Sequence, residues 1–483
     1  MGRVTTSAMN ALRRFNRRAI APRLTDAAWR MQAASIAAVL GLMLFAVRVL
    51  GAQWPGKFKI FFPDSFSFLN AARHTPFSPS FYVAERPIAF PTLLFVLGRS
   101  TAVTIIVQTL LYGIVYLFAA FTVWHVLRQT EARIVAAFLV ITIGLEPRFA
   151  LWNTHILSES LGMTLAACSI VTWWRFSAAP SRRTLNWAGL ATIAWLTARD
   201  SNVPPWMAVG VPGLLLASWL WKSVDPSLRR GLRRWGIVTL IVCGGVTLSQ
   251  STNGRNRYAT INNVGLRVLP HENLTKWFVD QGMPLDDALR ARTGSSSFDN
   301  DWDMLTSPQL QQFRDWADNS GQRVMLLSYA RFFPHWVAEL SNELPSLLSS
   351  DQHAYDAFGV ADRLPDAAPA QINGPTTPLG LLAWTVLCLV ALALATLRKR
   401  RAQVVVLGLL FASTFVDLYM AYVGDSVEVL RHMVGPLSRM ALVMVIIVGV
   451  GLDSLFELVR PNRLDPVVTS IAADDHLLSE PIT

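Results

Sequence analysis

A single aspartate, Asp64, lies among aromatic residues in the segment FFPDSFSFLN. A carboxylate in such surroundings at a membrane surface is costly unless it is paired or used in chemistry. Apolar burial also raises a carboxyl pKa towards neutrality, which suits a general base. The pattern therefore predicts a base at Asp64. The alternative is a helix N-cap, because Asp-Ser after Pro63 begins a helical pattern well.

Two further charged segments follow this aspartate. In YVAERPIAFP, Glu85 could supply a second carboxylate near the first, or form a local ion pair with Arg86. The segment EPRFALWNTHILSESLG contains four side chains that we expect to share a cavity mouth, with a glutamate where the helix dipole favours it. These four side chains are Glu146, Arg148, His155 and Glu159.

Two later segments are suited to binding phosphate. TARDSNVPP contains Arg199, whose guanidinium could pair with a phosphate or with the neighbouring Asp200. VGDSVEVLRHMVGPLSRM contains Glu428, Arg431 and His432, whose i,i+3 and i,i+4 spacing puts them on one helix face. An Arg-His pair at headgroup depth fits a lipid phosphate; the alternative is a snorkelling interface anchor.

The elements that must position these residues read as membrane helices. Of 483 residues, 52% are hydrophobic and only 16% are charged, and the apolar residues form long runs. A bilayer core about 30 Å thick needs roughly 20 such residues per crossing. We therefore predict an all-α, polytopic transmembrane helical bundle of about ten spans. The predicted spans are residues 33–51, 101–126, 134–146, 157–176, 186–198, 205–221, 235–249, 378–397, 402–423 and 434–455.

The distribution of charge predicts the orientation. If the N-terminus is inside and the spans alternate, the inner segments hold 23 of the 43 Lys and Arg but 8 of the 32 Asp and Glu. Because Lys and Arg collect in cytoplasmic loops, both termini should be cytoplasmic in a plasma (bacterial inner) membrane. Asp64 and Arg431 then face outward. The formal charge of +11 reflects this topology, and no nucleic-acid-binding module is visible.

The chain divides into five predicted parts. Its first outer loop, 52–100, is aromatic and punctuated by proline, which predicts helices lying at the membrane interface. The second long outer segment is polar with helical patterns, which predicts a small, mostly helical extracytoplasmic domain. The parts are a basic cytoplasmic N-terminus (1–32), a transmembrane core (33–249), the outer domain (250–376), C-terminal transmembrane helices (377–455) and a cytoplasmic tail (456–483).

Several of these segments resemble the GT-C superfamily of integral-membrane glycosyltransferases, which includes protein O-mannosyltransferases and lipid A aminoarabinose transferases. Asp64 follows the first span, and Glu85-Arg86-Pro87 is similar to the E-K-P-P element of the aminoarabinose transferases. Residues 157–160 read LSES, and AGLATIAWLTARD at 188–200 looks like the family's "aGllaGLa.ltR". The E-x-x-R-H of residues 428–432 resembles the family's terminal R-H/R-Y-x-x-P element.

The resemblance covers roughly residues 30–250 and 376–455. It implies inverting transfer of a sugar from a polyprenyl-phosphate donor to a hydroxyl of a glycan, glycolipid or protein acceptor, with Asp64 as the base. The family's paired carboxylate is absent, because Ser65 follows Asp64, so the resemblance leaves the need for a divalent metal open. It implies donor phosphate ligands at Arg199, Arg431 and His432, and acceptor or sugar ligands at Glu85, Arg86, His155, Glu159 and Glu428.

The sequence is also compatible with two other classes of function. A transporter or flippase of a lipid-linked substrate should place ionisable residues near the bilayer midplane. The predicted spans are nearly free of carboxylates, apart from Asp417 and Asp453, which favours an enzyme. A polymerase or ligase of the O-antigen type would depend on basic residues of the second outer segment and not on Asp64. Those basic residues are Arg267, His271, His335 and His353.

Overall fold

The residues that the structure describes form helices and contain no strand. The computed structural model describes Gly41 and residues 62–84, 86–221, 225–252, 254–349 and 374–459. The all-α prediction is confirmed for this part of the chain. Apart from Gly41, the predicted first span lies outside the described residues, as do the N-terminal segment and most of the C-terminal tail.

Eleven helices precede residue 253 in the described residues, and short 3-10 and π-helical turns join some of them. They are α1 (Pro63–Ala71), α2 (Pro79–Tyr82), α3 (Ala89–Val96), α4 (Thr101–Val126), α5 (Thr130–Leu145), α6 (Pro147–Ala150), α7 (Ser158–Ala178), α8 (Arg182–Leu196), α9 (Val203–Pro205), α10 (Val211–Leu220) and α11 (Pro226–Thr252). The short helices α1 to α3 lie in the segment where interfacial helices are predicted.

Ten more α-helices complete the described residues. They are α12 (Asn256–Asn263), α13 (Glu272–Asp280), α14 (Asp287–Arg290), α15 (Asp303–Thr306), α16 (Gln311–Trp316), α17 (Gln322–Arg331), α18 (Phe333–Leu348), α19 (Pro378–Leu397), α20 (Arg401–Gly424) and α21 (Val429–Val459). The helices α12 to α18 thus occupy the described part of the predicted outer domain.

Six helical segments in the described residues are long and apolar enough to cross a membrane. A seventh arises if α5 and the turn after it count as one span with a 51° bend, which falls just before Pro147. The six segments are Thr101–Val126, Asp200–Leu220, Pro226–Thr252, Pro378–Leu397, Arg401–Gly424 and Val429–Val459. The chain therefore has the helices of a membrane protein, but the prediction of about ten spans is not confirmed.

Two of the predicted spans correspond to α7 and α8, which are not both long and apolar enough to be counted as membrane-crossing helices. The helix α8 has 15 residues, fewer than the roughly 20 that cross a bilayer. The helix α7 has 21 residues and is long enough, but it contains several Ser and Thr side chains and one Glu. Seventeen of its residues are buried by neighbouring helices, and these include all of its Ser, Thr and Glu side chains.

The helix α21 is the centre of the bundle. It packs against α5, α7, α19 and α20, and its side chains from Met440 to Val450 are buried almost continuously. The buried carboxylates on α21 and beside it form ion pairs with arginines. Asp417 of α20 forms a buried ion pair with Arg439, whose guanidinium lies 4.3 Å from the ring of Trp195. Such pairing removes most of the cost of an ionised group inside the bundle.

The far end of α21 carries a second group of charges. The Asp453 carboxylate accepts hydrogen bonds from the backbone amides of Arg128 (2.9 Å) and Gln129 (2.6 Å) and pairs with Arg400 at 2.7 Å. Glu457 also pairs with Arg400, at 2.7 Å. We call this the arginine end of the bundle. About 24 helical residues, or roughly 36 Å, separate Asp453 from the start of α21 at Val429.

The helices of residues 254–349 rest on the other end of the bundle. The hydroxyl of Tyr329 donates to the carbonyl of Val423 at 2.6 Å, and the Asn263 amide donates to the same carbonyl at 3.0 Å. Arg267 donates to the carbonyl of Tyr422 at 2.6 Å and lies over its ring. These contacts fix the helical region against the last turn of α20.

Candidate functional site

Asp64 begins the site at the first turn of α1. The residue is not the N-cap: Phe62 occupies that position, and its amide donates to the Ser65 hydroxyl at 3.0 Å. The capping alternative is therefore wrong, and the carboxylate is available for other contacts. Its Oδ1 accepts from Arg86 at 2.5 Å, and its Oδ2 accepts from Arg431 at 2.8 Å.

Arg86 is held by three contacts at once. Its Nε donates to the Ser67 hydroxyl at 2.5 Å, its Nη2 binds Asp64, and its guanidinium lies 4.8 Å from the ring of Phe68. The expected partner of a purely local ion pair, Glu85, lies outside the described residues. The structure therefore connects Arg86 to the first turns of α1 across about 20 residues of sequence.

Arg431 lies at the centre of the site, in the first turn of α21. Its Nη1 pairs with Asp64 and with Glu428, each at 2.8 Å, and its Nε donates to the buried carboxylate of Glu159 at the start of α7. Glu428 has a positive φ of 54°, a backbone conformation that non-glycine residues rarely adopt. Three segments that are far apart in sequence thus converge on one guanidinium.

Arg199 and His432 lie beside this centre. The Nη2 of Arg199 is 3.5 Å from Glu159 Oε1 and 3.5 Å from His432 Nδ1. Gly162, one turn into α7, leaves room for it, because a Cβ at that position would come within 3.1 Å of Arg199 Cδ. Asp200 pairs with Arg255. The alternative pairing of Arg199 with its neighbour Asp200 is therefore replaced by a contact to the site.

His155 packs at the edge of the site as an aromatic ring. It stacks on Phe62 with ring centroids 5.4 Å apart and lies 5.3 Å from the ring of Trp152. Its Nδ1 is 3.0 Å from the carbonyl of Leu151. Burial lowers the pKa of His155 to about 4, so the ring is neutral at physiological pH. These contacts give His155 a packing role next to α1.

Two of the four residues expected to share one cavity mouth have other partners. Glu146 and Arg148 pair with each other at 3.7 Å, and Arg148 also donates to the carbonyl of Leu348 at 3.4 Å. Glu159 instead pairs with Arg431. Glu146 and Arg148 lie at the 51° bend between α5 and α6, whereas Glu159 lies at the start of α7.

The ionisation of Asp64 differs from the sequence expectation. Burial does raise its pKa, but the charges and hydrogen bonds of Arg86 and Arg431 outweigh it and lower the pKa to about 2. The expectation of a pKa near neutrality is therefore wrong for the protein without substrate. Each of the two carboxylate oxygens accepts a hydrogen bond from an arginine, Oδ1 from Arg86 and Oδ2 from Arg431.

No family model and no curated protein matches this chain. The resemblance to the GT-C superfamily therefore rests on the short motifs alone. Within the described residues, the motifs that contain Asp64, Arg86, Glu159, Arg199 and Arg431 meet in one cluster. The convergence was expected from sidedness and order along the chain, and the structure shows it at side-chain level.

Sequence reasoning missed the polar stretch that borders the site after α11. Asn262 donates to Asp425 Oδ1 at 3.0 Å, in the turn before α21, and Arg255 binds Asp200. Burial raises the pKa of Asp425 to about 6, although hydrogen bonds from Val427 and Asn262 oppose that change. The signal was present as a dense polar run, NGRNRYATINN, directly after an apolar span.

Proposed function

We propose that this chain is a membrane glycosyltransferase that moves a sugar from a polyprenyl-phosphate donor to an acceptor hydroxyl. Acceptors of three kinds fit this chemistry: a glycan, a glycolipid or a protein. The observation that supports the proposal best is the direct contact between the Asp64 carboxylate and the Arg431 guanidinium. The reaction needs a proton acceptor and a cation for the phosphate within one site, and this contact supplies both.

The reaction balances with the groups of this cluster. Asp64 takes the proton of the acceptor hydroxyl, and the acceptor oxygen bonds to the anomeric carbon. The bond between that carbon and the phosphate oxygen breaks, and the lipid phosphate leaves with the electron pair. Arg431, Arg199 and Arg86 stabilise the charge that grows on the leaving phosphate, which is where electrostatic help is most effective.

Donor binding also resolves the low pKa of Asp64. Its carboxylate is 31% exposed and is kept ionised by Arg86 and Arg431. A donor phosphate that binds those guanidiniums competes with Asp64 for them. The loss of these partners leaves burial as the main influence, and burial raises a carboxyl pKa. Asp64 thereby becomes a stronger base only when the donor is in place.

The location of the reaction follows from topology in this proposal. The charge distribution of the loops assigns the Asp64 cluster to the outer face of an inner membrane and both termini to the cytoplasm. The basic turn between α19 and α20, whose Arg398 and Arg400 pair with Glu457, lies at the arginine end, as a cytoplasmic turn should. Cysteine labelling of that turn in intact cells tests this orientation.

Substitution of the base tests the proposed reaction. Asp64→Asn keeps the size of the side chain but removes the proton acceptor, so lipid-linked sugar transfer in membranes should be lost while expression is unchanged. Asp318→Asn is a matched control, because Asp318 also pairs with an arginine, Arg257, and its side chain is also 31% exposed. Full transfer activity in the Asp64→Asn protein would falsify the assignment of the base.

A transporter or flippase is the second candidate, favoured by the 51° bend between α5 and α6, because broken helices form substrate sites in many transporters. The buried carboxylates of the spans argue against a transporter, because Asp417 and Asp453 both form ion pairs with arginines. Movement of a lipid-linked sugar across vesicles by the Asp64→Asn protein, without transfer, would favour the transporter.

An O-antigen-type polymerase or ligase depends instead on basic residues outside the Asp64 cluster. Of these, Arg267 is buried against the ring and carbonyl of Tyr422, and His353 lies outside the described residues. His271 and His335 lie together with Glu339. Loss of transfer in variants of these histidines, together with full transfer in Asp64→Asn, would favour this class.

A further inference from the structure

Two histidines and one glutamate come together in the helical region 254–349, outside the Asp64 cluster. The Nε2 atom of His271 lies 3.0 Å from Glu339 Oε1, and the Nε2 atom of His335 lies 3.4 Å from the same oxygen. The three ligand atoms all lie within 4.8 Å of one another. The two imidazole rings meet edge to face, with centroids 4.8 Å apart.

The local sequence explains how the three side chains meet. His335 and Glu339 are separated by four residues on α18, so they lie one above the other on the same helix face. That face borders the buried stripe of Trp336 and Leu340, which fixes the rotation of the helix. His271 is the N-cap of α13, and its carbonyl accepts from the Thr275 amide at 2.9 Å.

The ligand set is one that a transition metal prefers. Neutral imidazole nitrogens and a carboxylate oxygen bind Zn²⁺ at about 2.0–2.2 Å, which places tetrahedral ligands roughly 3.3 Å apart. The contacts to Glu339 already have this spacing. Among the described residues, His335 Nε2 and Glu339 Oε2 are buried atoms without a hydrogen-bond partner. Buried polar atoms in this state are costly, and a shared cation removes the cost.

We propose that His271, His335 and Glu339 bind a divalent transition-metal cation of the Zn²⁺ type, with water at the fourth position. The proposal does not depend on the proposed function, because none of the three residues belongs to the Asp64 cluster. Mg²⁺ is a poor fit, since it prefers an octahedron of oxygen ligands. Two of the three ligands here are nitrogen atoms.

The cation joins parts of the chain that are more than 60 residues apart. It connects the start of α13 to the first half of α18. One turn further along α18, Glu343 accepts a hydrogen bond from the Tyr422 hydroxyl at 2.8 Å, at the end of α20. A metal at this position therefore holds α13 against α18, one turn from the contact that α18 makes with the membrane bundle. It stabilises the folded protein by binding it in preference to the unfolded chain.

The test uses the full-length protein, purified in detergent and stripped with a chelator. Titration with ZnCl2, followed by desalting and elemental analysis, should give one tightly bound equivalent of zinc per chain and an increase in Tm of several degrees. His271→Ala, His335→Ala and Glu339→Gln should each weaken zinc binding by more than about tenfold. His74→Ala removes an exposed histidine elsewhere and should bind zinc as the wild type does.

Size-exclusion profiles separate loss of the site from loss of the fold. If His335→Ala aggregates, the shape-conserving His335→Asn and the milder Glu339→Gln provide the comparison. Zinc binding to those folded variants with wild-type affinity overturns the proposal. Equal stabilisation by MgCl2 and ZnCl2 also overturns it. Stabilisation that follows pH but not zinc overturns it in favour of protonated histidines paired with Glu339.

Discussion

Glu159 and Arg431 form a buried ion pair beneath the residue that we assign as the base. Glu159 Oε1 accepts from Arg431 Nε and also lies 3.5 Å from Arg199, while Arg431 Nη1 faces Asp64. One carboxylate oxygen therefore holds two arginines at the site. In the proposed reaction Glu159 is a positioning residue, because it fixes the two cations and does not itself need to touch the substrate.

Substitution of Glu159 by glutamine should damage both stability and donor binding. Removal of one partner from a buried ion pair costs about 3–5 kcal/mol, because the other charge is left without compensation. We expect a lower Tm in detergent and a higher KM for the lipid donor. The exposed Glu272→Gln should change neither value. Unchanged Tm and KM in Glu159→Gln would remove Glu159 from this role.

The contribution of Asp64 to the stability of the protein should change with pH only in acid. Its pKa is lowered from 3.8 to about 2 in the folded protein, so its ion pairs stabilise the fold above pH 4. This contribution is lost as the pH falls from about 4 to about 2. Urea unfolding should therefore show the Asp64→Asn protein less stable than the wild type at pH 7, with the difference shrinking below pH 4. A difference that is constant with pH contradicts the ion pairs.

Asp425 should show the opposite dependence on pH. Burial raises its pKa from 3.8 to about 6, so the folded protein favours the neutral carboxyl. The stability associated with that form is present below pH 3.8 and is lost as the pH rises through about 6. Asp425→Asn keeps an acceptor for Asn262 and Val427 without a charge. The difference in Tm between the variant and the wild type should therefore increase in favour of the variant from pH 5 to pH 8. An equal difference in Tm at both pH values would contradict a raised pKa of Asp425.

A single added methyl group at Gly162 can test whether the position of Arg199 matters for donor binding. Gly162→Ala places a Cβ 3.1 Å from Arg199 Cδ, so the guanidinium must move by a few tenths of an ångström. We expect a several-fold higher KM for the donor with little change in Tm. Gly244→Ala is the control, since its Cβ meets nothing within 4 Å and it also lies in a long helix. Equal donor kinetics in both variants would exclude Arg199 from donor binding.

The sequence predicted which residues lie together in the candidate site, but not how the neighbouring charges set the pKa of Asp64. Asp64, Arg199, Glu159 and Arg431 were recognisable because each follows or begins an apolar helix on the same predicted side. The low pKa of Asp64 was not recognisable, since it depends on two guanidiniums that come from distant segments. Local patterns report burial of a carboxyl group, whereas the distances to its partners are set by packing.

The number of spans is a second point on which the described residues do not confirm the prediction. Hydropathy and length identified α4, α10, α11, α19, α20 and α21, which are long and apolar. The helices α7 and α8 were read as independent crossings from shorter apolar runs. The burial of α7 among its neighbours allows it a polar composition that a helix in contact with lipid could not have.

The enclosure of α7 also has a consequence for biosynthesis. The translocon meets α7 long before it meets α21, the helix that provides the partner of Glu159. A nascent chain that stops after residue 252 contains Arg199 but lacks Arg431, the second cationic partner of Glu159, and it lacks the central helix that packs against α7. Truncated chains should therefore be targets of membrane quality-control proteases, and the two halves should become resistant only when they are expressed together.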